Sequence, residues 1–209
     1  MLKHEVRYPS EPRDGARVIV LLHGRGADAN DLASLQSGLP ADAILVLPQA
    51  PFPGEPWGYG PGWAWYRFLG ENRPEPVSFD TSLQKLEEFL TALPDILAVE
   101  PGPLTLGGFS QGGTMSLAYA LSRGNVPRVI MMSGFLADHP AVEVTPERVG
   151  GTRIFWGHGT HDPAIPHHWA DVGRTALRSV HANLDSYDYA IGHWITPEEL
   201  SDVRAWMGT

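Results

Sequence analysis

Short apolar segments recur along the chain, and stretches with helical spacing of apolar residues separate them. Five of these segments are continuous rather than alternating and rich in β-branched residues, at residues 18–22, 43–47, 104–106, 129–132 and 152–156. A strand that is apolar on both faces is covered on both faces, as in a mostly parallel sheet flanked by helices. A sixth segment, residues 184–190, alternates apolar and polar residues and predicts a strand nearer an edge.

Four helices are predicted between and after these strands. The first presents a stripe of apolar side chains at helical spacing: Leu83, Leu86, Phe89, Leu90 and Leu93. Asp80 is predicted to cap its start, and Pro94 is predicted to end or bend it. The others are predicted to begin near Gln111, after Pro166 and at Thr196, where a capping threonine precedes a proline. This alternation predicts an α/β fold with helices on both faces of the sheet.

Residues 49–79 interrupt the alternation, because they show neither a helical nor a strand pattern. Aromatic residues make up 10% of the chain, yet they are concentrated between Phe52 and Phe68. Loops longer than about 12–15 residues are commonly functional or disordered, and disordered segments are poor in aromatic residues. We therefore expect an ordered loop whose rings line an apolar pocket. The alternative is that the rings only fill the side of the core.

Composition narrows the possible functions. The 209 residues suit a single domain over residues 1–209, and a hydrophobic content of 43% is typical of a chain that buries a core. The absence of cysteine excludes disulfides, cysteine-ligated zinc and a thiol nucleophile. The net charge of −9 argues against binding to nucleic acid or anionic membranes. Since neither a signal peptide nor an apolar stretch of about 18 residues is found, we expect a cytoplasmic protein without stable membrane insertion.

The segment Gly108–Gly112 matches G-x-S-x-G and lies between a predicted strand and a predicted helix. Such a turn presents the serine hydroxyl outward, while its glycines leave room for neighbouring backbone. Ser110 is therefore a candidate nucleophile. The N–H of Gln111 and that of Arg25, in the loop after the first predicted strand, are candidate oxyanion-hole donors. His23 is expected to make a structural hydrogen bond there and to take no part in catalysis.

A candidate base and a candidate acid follow later strands. His193 follows the last predicted strand and Asp162 follows the strand at 152–156, in the order used by α/β hydrolases. In this arrangement Ser110 attacks a carbonyl carbon, His193 transfers the proton, and Asp162 orients the imidazole. Three aspartates are alternatives for the acid: Asp138, Asp185 and Asp188. The neighbouring histidines, which are His158, His161, His167 and His168, are expected to be exposed, and no metal site is expected.

Four segments together resemble the phospholipase/carboxylesterase family, which includes the acyl-protein thioesterases. They are residues 23–27, 108–113, 157–166 and 192–193, and the resemblance covers about residues 16–207. Trp65 and Tyr66, followed by Phe68, resemble the Trp-Tyr loop of bacterial members. The resemblance implies a small α/β-hydrolase fold without a cap domain, a triad of Ser110, Asp162 and His193, and no cofactor. Where thioesterase members have Trp-Phe-Asp, this chain has Trp65-Tyr66-Arg67, which disfavours protein depalmitoylation more than esterase chemistry.

These observations predict a serine carboxylesterase that acts on small to medium acyl esters, with thioesters and lysophospholipids as further candidates. An acyltransferase or amidase using the same acyl-enzyme is the alternative, and a catalytically silent ligand-binding protein is a weaker one. Four side chains are predicted to approach the substrate: Trp65, Tyr66, Ile165 and Trp194. The expected partner is a small-molecule ester, and the protein is expected to be a monomer or homodimer.

Overall fold

A seven-stranded, mostly parallel sheet lies at the centre of the protein in the computed structural model, which describes residues 1–124 and 126–208. The strands are β1 (His4–Arg7), β2 (Ala16–Leu22), β3 (Ile44–Pro48), β4 (Phe52–Pro53), β5 (Trp63–Ala64), β6 (Pro101–Phe109), β7 (Arg128–Met132), β8 (Arg153–Gly159) and β9 (Asn183–Tyr189). The sheet order is β1-β3-β2-β6-β7-β8-β9, and β4 pairs with β5 separately. All pairings in the large sheet are parallel except that of β1 with β3. The predicted parallel sheet and the edge position of β9 are therefore confirmed.

The helices are α1 (Pro76–Thr91), α2 (Leu93–Ile96), α3 (Gln111–Arg123), α4 (Pro146–Val149), α5 (His167–Ser179) and α6 (Pro197–Met207). The predicted starts of α3, α5 and α6 are confirmed. At the start of α6, the hydroxyl of Thr196 accepts a hydrogen bond from the N–H of Glu199, at 3.2 Å. Among the described residues, no helix is both long and apolar enough to cross a membrane.

Helix α1 begins earlier than its apolar pattern predicts. Asp80 is not its cap, because the helix starts at Pro76 and the carboxylate of Glu75 accepts two hydrogen bonds from N–H groups of the first turn. A proline suits this first position, since it has no N–H to satisfy and its φ is already helical. Pro94 follows the end of α1, as expected, and lies in the first turn of α2.

Two apolar cores lie on the two faces of the sheet, and β2 contributes to both. Val18, Val20 and Leu22 pack in the larger core with α1, α3 and α5, whereas Ile19 and Leu21 pack in the smaller core with α6. Successive side chains of a strand point to opposite faces, so a strand buried on both sides must be apolar throughout. This explains why the central strands show continuous apolar segments.

Some short elements have no counterpart in the sequence predictions. Residues 49–79 contain the two-residue strands β4 and β5, a 3₁₀ helix at Glu55–Trp57, and the start of α1, so the expectation of no regular structure was wrong there. Strand β1 was not predicted either, and it forms an antiparallel edge beside β3. Strands of two to four residues are too short to show an alternation that distinguishes them from a loop.

Candidate active site

Ser110 lies in the sharp turn between β6 and α3. Its φ of 54° and ψ of −120° are unusual for a residue with a side chain, and such conformations persist only where the surrounding structure holds them. The N–H of Ser110 donates to the carbonyl of Met132 at 2.8 Å, and its own carbonyl accepts from the N–H of Thr114 at 3.0 Å. The turn is therefore anchored to β7 on one side and to α3 on the other.

The two glycines of the motif allow β2 to approach this turn. A β-carbon at residue 112 would overlap the carbonyl of Leu22, and one at residue 108 would lie 2.5 Å from the same oxygen. Glycine is thus required at both positions by close backbone contact. The G-x-S-x-G pattern reflects packing of the turn as well as presentation of the serine.

Ser110, His193 and Asp162 lie in a continuous line of hydrogen bonds. His193 Nε2 is 2.9 Å from Ser110 Oγ, and His193 Nδ1 is 2.6 Å from Asp162 Oδ2. Since a carboxylate accepts hydrogen bonds, this geometry assigns the imidazole proton to Nδ1 and leaves the Nε2 lone pair for the serine hydroxyl. The three residues come from the ends of β6, β8 and β9, which meet at one edge of the parallel sheet.

Asp162 is held by its own turn. Its Oδ1 accepts hydrogen bonds from the N–H groups of Ala164 and Ile165, both at 2.8 Å, while the side chain is fully buried. Buried carboxylates require such partners, because an unpaired charge in the interior is costly. The carboxylate is consequently fixed before any substrate arrives.

The carboxylates of two of the alternative aspartates are engaged elsewhere. Asp185 accepts from the indole N–H of Trp206 at 2.7 Å, and Asp188 accepts from the guanidinium of Arg174 at 2.6 Å. Asp138 follows β7 and its N–H donates to the carbonyl of Asn72. Within the described part of the chain, Asp162 is the aspartate that contacts the imidazole of His193.

His158 departs from the expectation that the histidines near Asp162 are exposed, because its side chain is fully buried at the end of β8. Its Nε2 donates to the carbonyl of Ile165 at 2.9 Å and lies 3.7 Å from Asp162 Oδ2. Burial lowers the pKa of His158, so the neutral imidazole supports the turn. Among the residues described, no group of three or more His, Asp or Glu side chains could hold a metal ion.

Arg25 and Gln111 lie beside Ser110, and all three residues line the same cavity. Gln111 is the first residue of α3, where N–H groups have no acceptor within the helix and the helix dipole is positive. A β-carbon on Gly24 would lie 3.6 Å from the β-carbon of Ser110, so the backbone before Arg25 passes directly beside the serine. The guanidinium of Arg25 stacks over the ring of Tyr59 at 4.6 Å, and only its backbone is needed near the serine.

His23 makes the structural hydrogen bonds expected of it. The N–H of Ala50 donates to Nε2 at 3.0 Å, so Nδ1 carries the proton and donates to the carbonyl of Gly24 at 2.7 Å. Burial lowers the pKa of His23 and favours this neutral form. The imidazole therefore fixes the loop that carries Arg25.

The side chain of Gln111 has a role that the sequence did not indicate. Its Oε1 accepts from the N–H of Trp65 at 2.9 Å, and its Nε2 donates to the carbonyl of Tyr66 at 2.7 Å. The hydroxyl of Ser82, on α1, donates to the carbonyl of Trp65. The residue after the nucleophile thus fastens the aromatic loop to the start of α3.

A cavity of about 200 Å³ opens beside Ser110. Five large side chains line it together with the serine and the imidazole: Tyr66, Phe68, Phe109, Phe135 and Ile165. Phe109 also packs against the ring of His193, with centroids 4.7 Å apart. Phe109 lies inside the G-x-S-x-G motif and Phe68 in the aromatic segment, so the sequence could have indicated both as lining residues. Phe135 lies in a segment without any such motif.

Two of the four predicted substrate contacts lie away from this cavity. Trp65 is buried behind it, and its indole N–H donates to the carbonyl of His23 at 3.0 Å. Trp194 is 55% exposed and its ring lies against Gly192, outside the cavity. The rings of the aromatic segment therefore both line a pocket and fill the core, because Tyr66 and Phe68 reach the cavity while other rings, such as that of Trp65, are buried in the core.

Known proteins and a family model match this chain over nearly its whole length. A model of the phospholipase/carboxylesterase family matches residues 3–209. Acyl-protein thioesterase 1 of Cryptococcus neoformans is 26% identical over 99% of this chain and 96% of that protein. Acyl-protein thioesterase 1 of Candida albicans is 27% identical over 95% and 94%.

Solved structures show the same fold. Acyl-protein thioesterase 2 of Zea mays superposes with a TM-score of 0.78 at 22% identity, over 99% of this chain and 98% of that one. Esterase PE8 superposes with a TM-score of 0.82 at 24% identity, over 99% and 97%. At these identities the likeness concerns the fold, and the chemistry depends on the site itself.

Proposed function

This chain belongs to the phospholipase/carboxylesterase family and is an ester hydrolase with an α/β-hydrolase fold, and on this premise we propose that Ser110, His193 and Asp162 are its catalytic triad. The main support is the line of hydrogen bonds from Oγ through the imidazole to the buried carboxylate, at 2.9 and 2.6 Å. Nucleophile, base and orienting acid are thus within reach of one another.

In the proposed reaction, Ser110 Oγ attacks the ester carbonyl while His193 Nε2 takes the hydroxyl proton. Asp162 Oδ2 stabilises the imidazolium that forms. The oxyanion of the tetrahedral intermediate accepts hydrogen bonds from the N–H groups of Arg25 and Gln111. The intermediate then collapses, the imidazolium gives its proton to the leaving alcohol, and the acyl group stays on the serine. Water, activated by the same imidazole, releases the acid in the second half of the reaction.

The proposed substrates are small to medium carboxylic esters, with thioesters and lysophospholipids as further candidates. Support comes from the apolar cavity beside Ser110 and from the names of the relatives, several of which are acyl-protein thioesterases. Tyr66 and Ile165 are the predicted contacts that line this cavity. A cytoplasmic location and a monomeric or homodimeric state carry over from the sequence as further proposals.

A fluorophosphonate probe tests the nucleophile directly, since it phosphonylates an activated serine. We expect labelling of the wild type and of Ser34→Ala, which alters an exposed serine on a 3₁₀ helix, and none of Ser110→Ala. Hydrolysis of p-nitrophenyl butyrate should fall by about 10⁴- to 10⁶-fold in Ser110→Ala and stay unchanged in Ser34→Ala. Labelling of Ser110→Ala at the rate of the wild type would overturn the assignment.

A further inference from the structure

Three aromatic rings stand together at one end of the catalytic cavity. Their centroids are 5.9 Å apart for Phe68 and Phe135, 5.6 Å for Phe135 and Trp169, and 6.3 Å for Phe68 and Trp169. Each ring therefore packs against both of the others at distances typical of aromatic pairs. We call this cluster of Phe68, Phe135 and Trp169 the aromatic partition.

The aromatic partition separates two cavities. Phe68 and Phe135 line the catalytic cavity of about 200 Å³, whereas Trp169 lines a larger one of about 670 Å³. Leu136 and Val142 contribute apolar surface to the larger cavity. The two cavities share no lining residue within the described chain, and the rings between them are in direct contact. Phe68 and Phe135 therefore face the catalytic cavity, and Trp169, packed behind them, faces the larger one.

The two ends of the catalytic cavity differ in the chemistry that each can serve. Phe109 packs on His193 and extends towards the core on the α6 face. Tyr66 and Phe135 belong to the core on the opposite face of the sheet. The imidazole gives its proton to the leaving alcohol, so the alcohol departs on the side of His193. The acyl group stays on the serine and therefore occupies the other end, which the aromatic partition closes.

The volume of the catalytic cavity limits what this end can hold. An apolar cavity of about 150 Å³ accommodates benzene, with its six carbons, so about 200 Å³ accommodates roughly eight non-hydrogen atoms. Sites for drug-sized ligands are larger, at about 300–1,000 Å³. Because the leaving alcohol takes part of this volume, about six carbons and the carbonyl oxygen of the acyl group fill the rest.

We propose that the aromatic partition sets the upper limit of acyl length at about six carbons, and that removing one of its rings opens space behind the acyl group, towards the larger cavity, and admits longer chains. This proposal rests on the proposed function for the position of the ester carbonyl. Phe68, Phe135 and Trp169 are then specificity-determining residues. The larger cavity is an unused extension of the site, which the native rings keep separate from the acyl group.

The test compares kcat/KM for p-nitrophenyl esters from acetate to dodecanoate in the wild type, Phe68→Ala and Trp169→Ala. Both altered rings are only partly buried, so their truncation is compatible with folding, which the melting temperature checks. The matched control is Phe52→Ala, an equally half-buried phenylalanine that packs on Trp57 and lines neither cavity.

We expect the wild type to prefer butyrate or hexanoate and to lose activity steeply from octanoate onwards. Each additional buried CH₂ strengthens binding roughly fourfold. Octanoate has two carbons beyond the limit of about six, so their burial should raise the ratio of kcat/KM for octanoate to that for butyrate by roughly tenfold or more in both partition variants. Phe52→Ala should keep the wild-type profile. A wild type that hydrolyses dodecanoate as well as butyrate, or folded partition variants with the wild-type profile, would overturn the proposal.

Calorimetric titration with the free carboxylates from butyrate to dodecanoate measures the same limit without catalysis. We expect the affinity of the wild type to stop rising near hexanoate and that of Phe68→Ala to rise further. If no ester is hydrolysed but this binding limit and its shift are found, the proposed function fails and the aromatic partition stands. If esters are hydrolysed without a length limit, the aromatic partition fails and the proposed function stands.

Discussion

Replacing Glu199 by glutamine should change how the stability of this protein depends on pH. Its side chain, on α6, is 1% exposed, and neither carboxyl oxygen has a hydrogen-bond partner among the described residues. The carboxyl group lies against Gly157 of β8, where a β-carbon would overlap it. Burial, reinforced by the nearby charge of Asp202, raises the pKa of Glu199 from its ordinary value of 4.5 to about 8. The group is therefore neutral in the folded protein at pH 7.

The sign of the effect follows from the protons that each state binds. Below pH 4.5 Glu199 is protonated in both states and has no effect on the pH dependence. Between pH 4.5 and about 8 the unfolded chain releases this proton while the folded protein keeps it, so stability falls by about 1.4 kcal/mol per pH unit. Over the whole interval this amounts to about 5 kcal/mol, and from pH 5 to pH 7.5 to about 3 kcal/mol.

Urea unfolding at pH 5 and at pH 7.5 measures this difference. Relative to Glu199→Gln, the wild type should lose about 3 kcal/mol of unfolding free energy between the two pH values, since glutamine does not ionise. The matched control is Glu198→Gln, the exposed neighbour, whose pH dependence should parallel that of the wild type. Parallel curves for the wild type and Glu199→Gln would refute the reasoning, whatever their absolute stabilities.

Three further substitutions test the site. Asp162→Asn should lower kcat by about 10⁴-fold with little change in KM, because the amide favours the wrong imidazole tautomer; steady-state kinetics with undiminished kcat would contradict this. Gln111→Leu should cost about 2–4 kcal/mol in urea unfolding, because the N–H of Trp65 and the carbonyl of Tyr66 lose their partners, and an unchanged midpoint would count against that role. Burial lowers the pKa of His158, so the unfolded chain alone binds its proton as pH falls below 6.5 and stability is lost there. His158→Gln should therefore reduce the fall in melting temperature between pH 7 and pH 5.5, and an identical fall would exclude this contribution.

The arrangement of Ser110, Asp162 and His193 could be anticipated because each follows a strand that its apolar residues make recognisable. Parallel strands bring their carboxyl ends to one edge, so residues distant in the chain meet there once the strand order is known. Gly108 and Gly112 also indicated the position of the turn that carries Ser110, because the close backbone contact there leaves little room for any other residue. These features depend on local pattern and on chain order, both of which a single sequence contains.

Side-chain burial at the site could not be anticipated in the same way. Trp65 and Trp194 both adjoin motif residues, yet one is buried behind the cavity and the other is exposed. Phe135 joins the cavity from a segment without a motif, because β7 lies beside β6 in the sheet. His158 was expected at the surface and lies in the core. In each case the burial of the side chain depends on which neighbouring element covers it.

The layered fold, the order of the longer strands and helices, and the chemical types of the candidate triad could all be derived from the sequence alone, because periodicity and close-packed glycines act over a few residues. Three properties required the three-dimensional structure: which rings form the aromatic partition, how large the catalytic cavity is, and that the buried carboxyl group of Glu199 has no hydrogen-bond partner among the described residues. These properties arise where elements far apart in the chain pack together, and packing depends on shape and distance that no local pattern records.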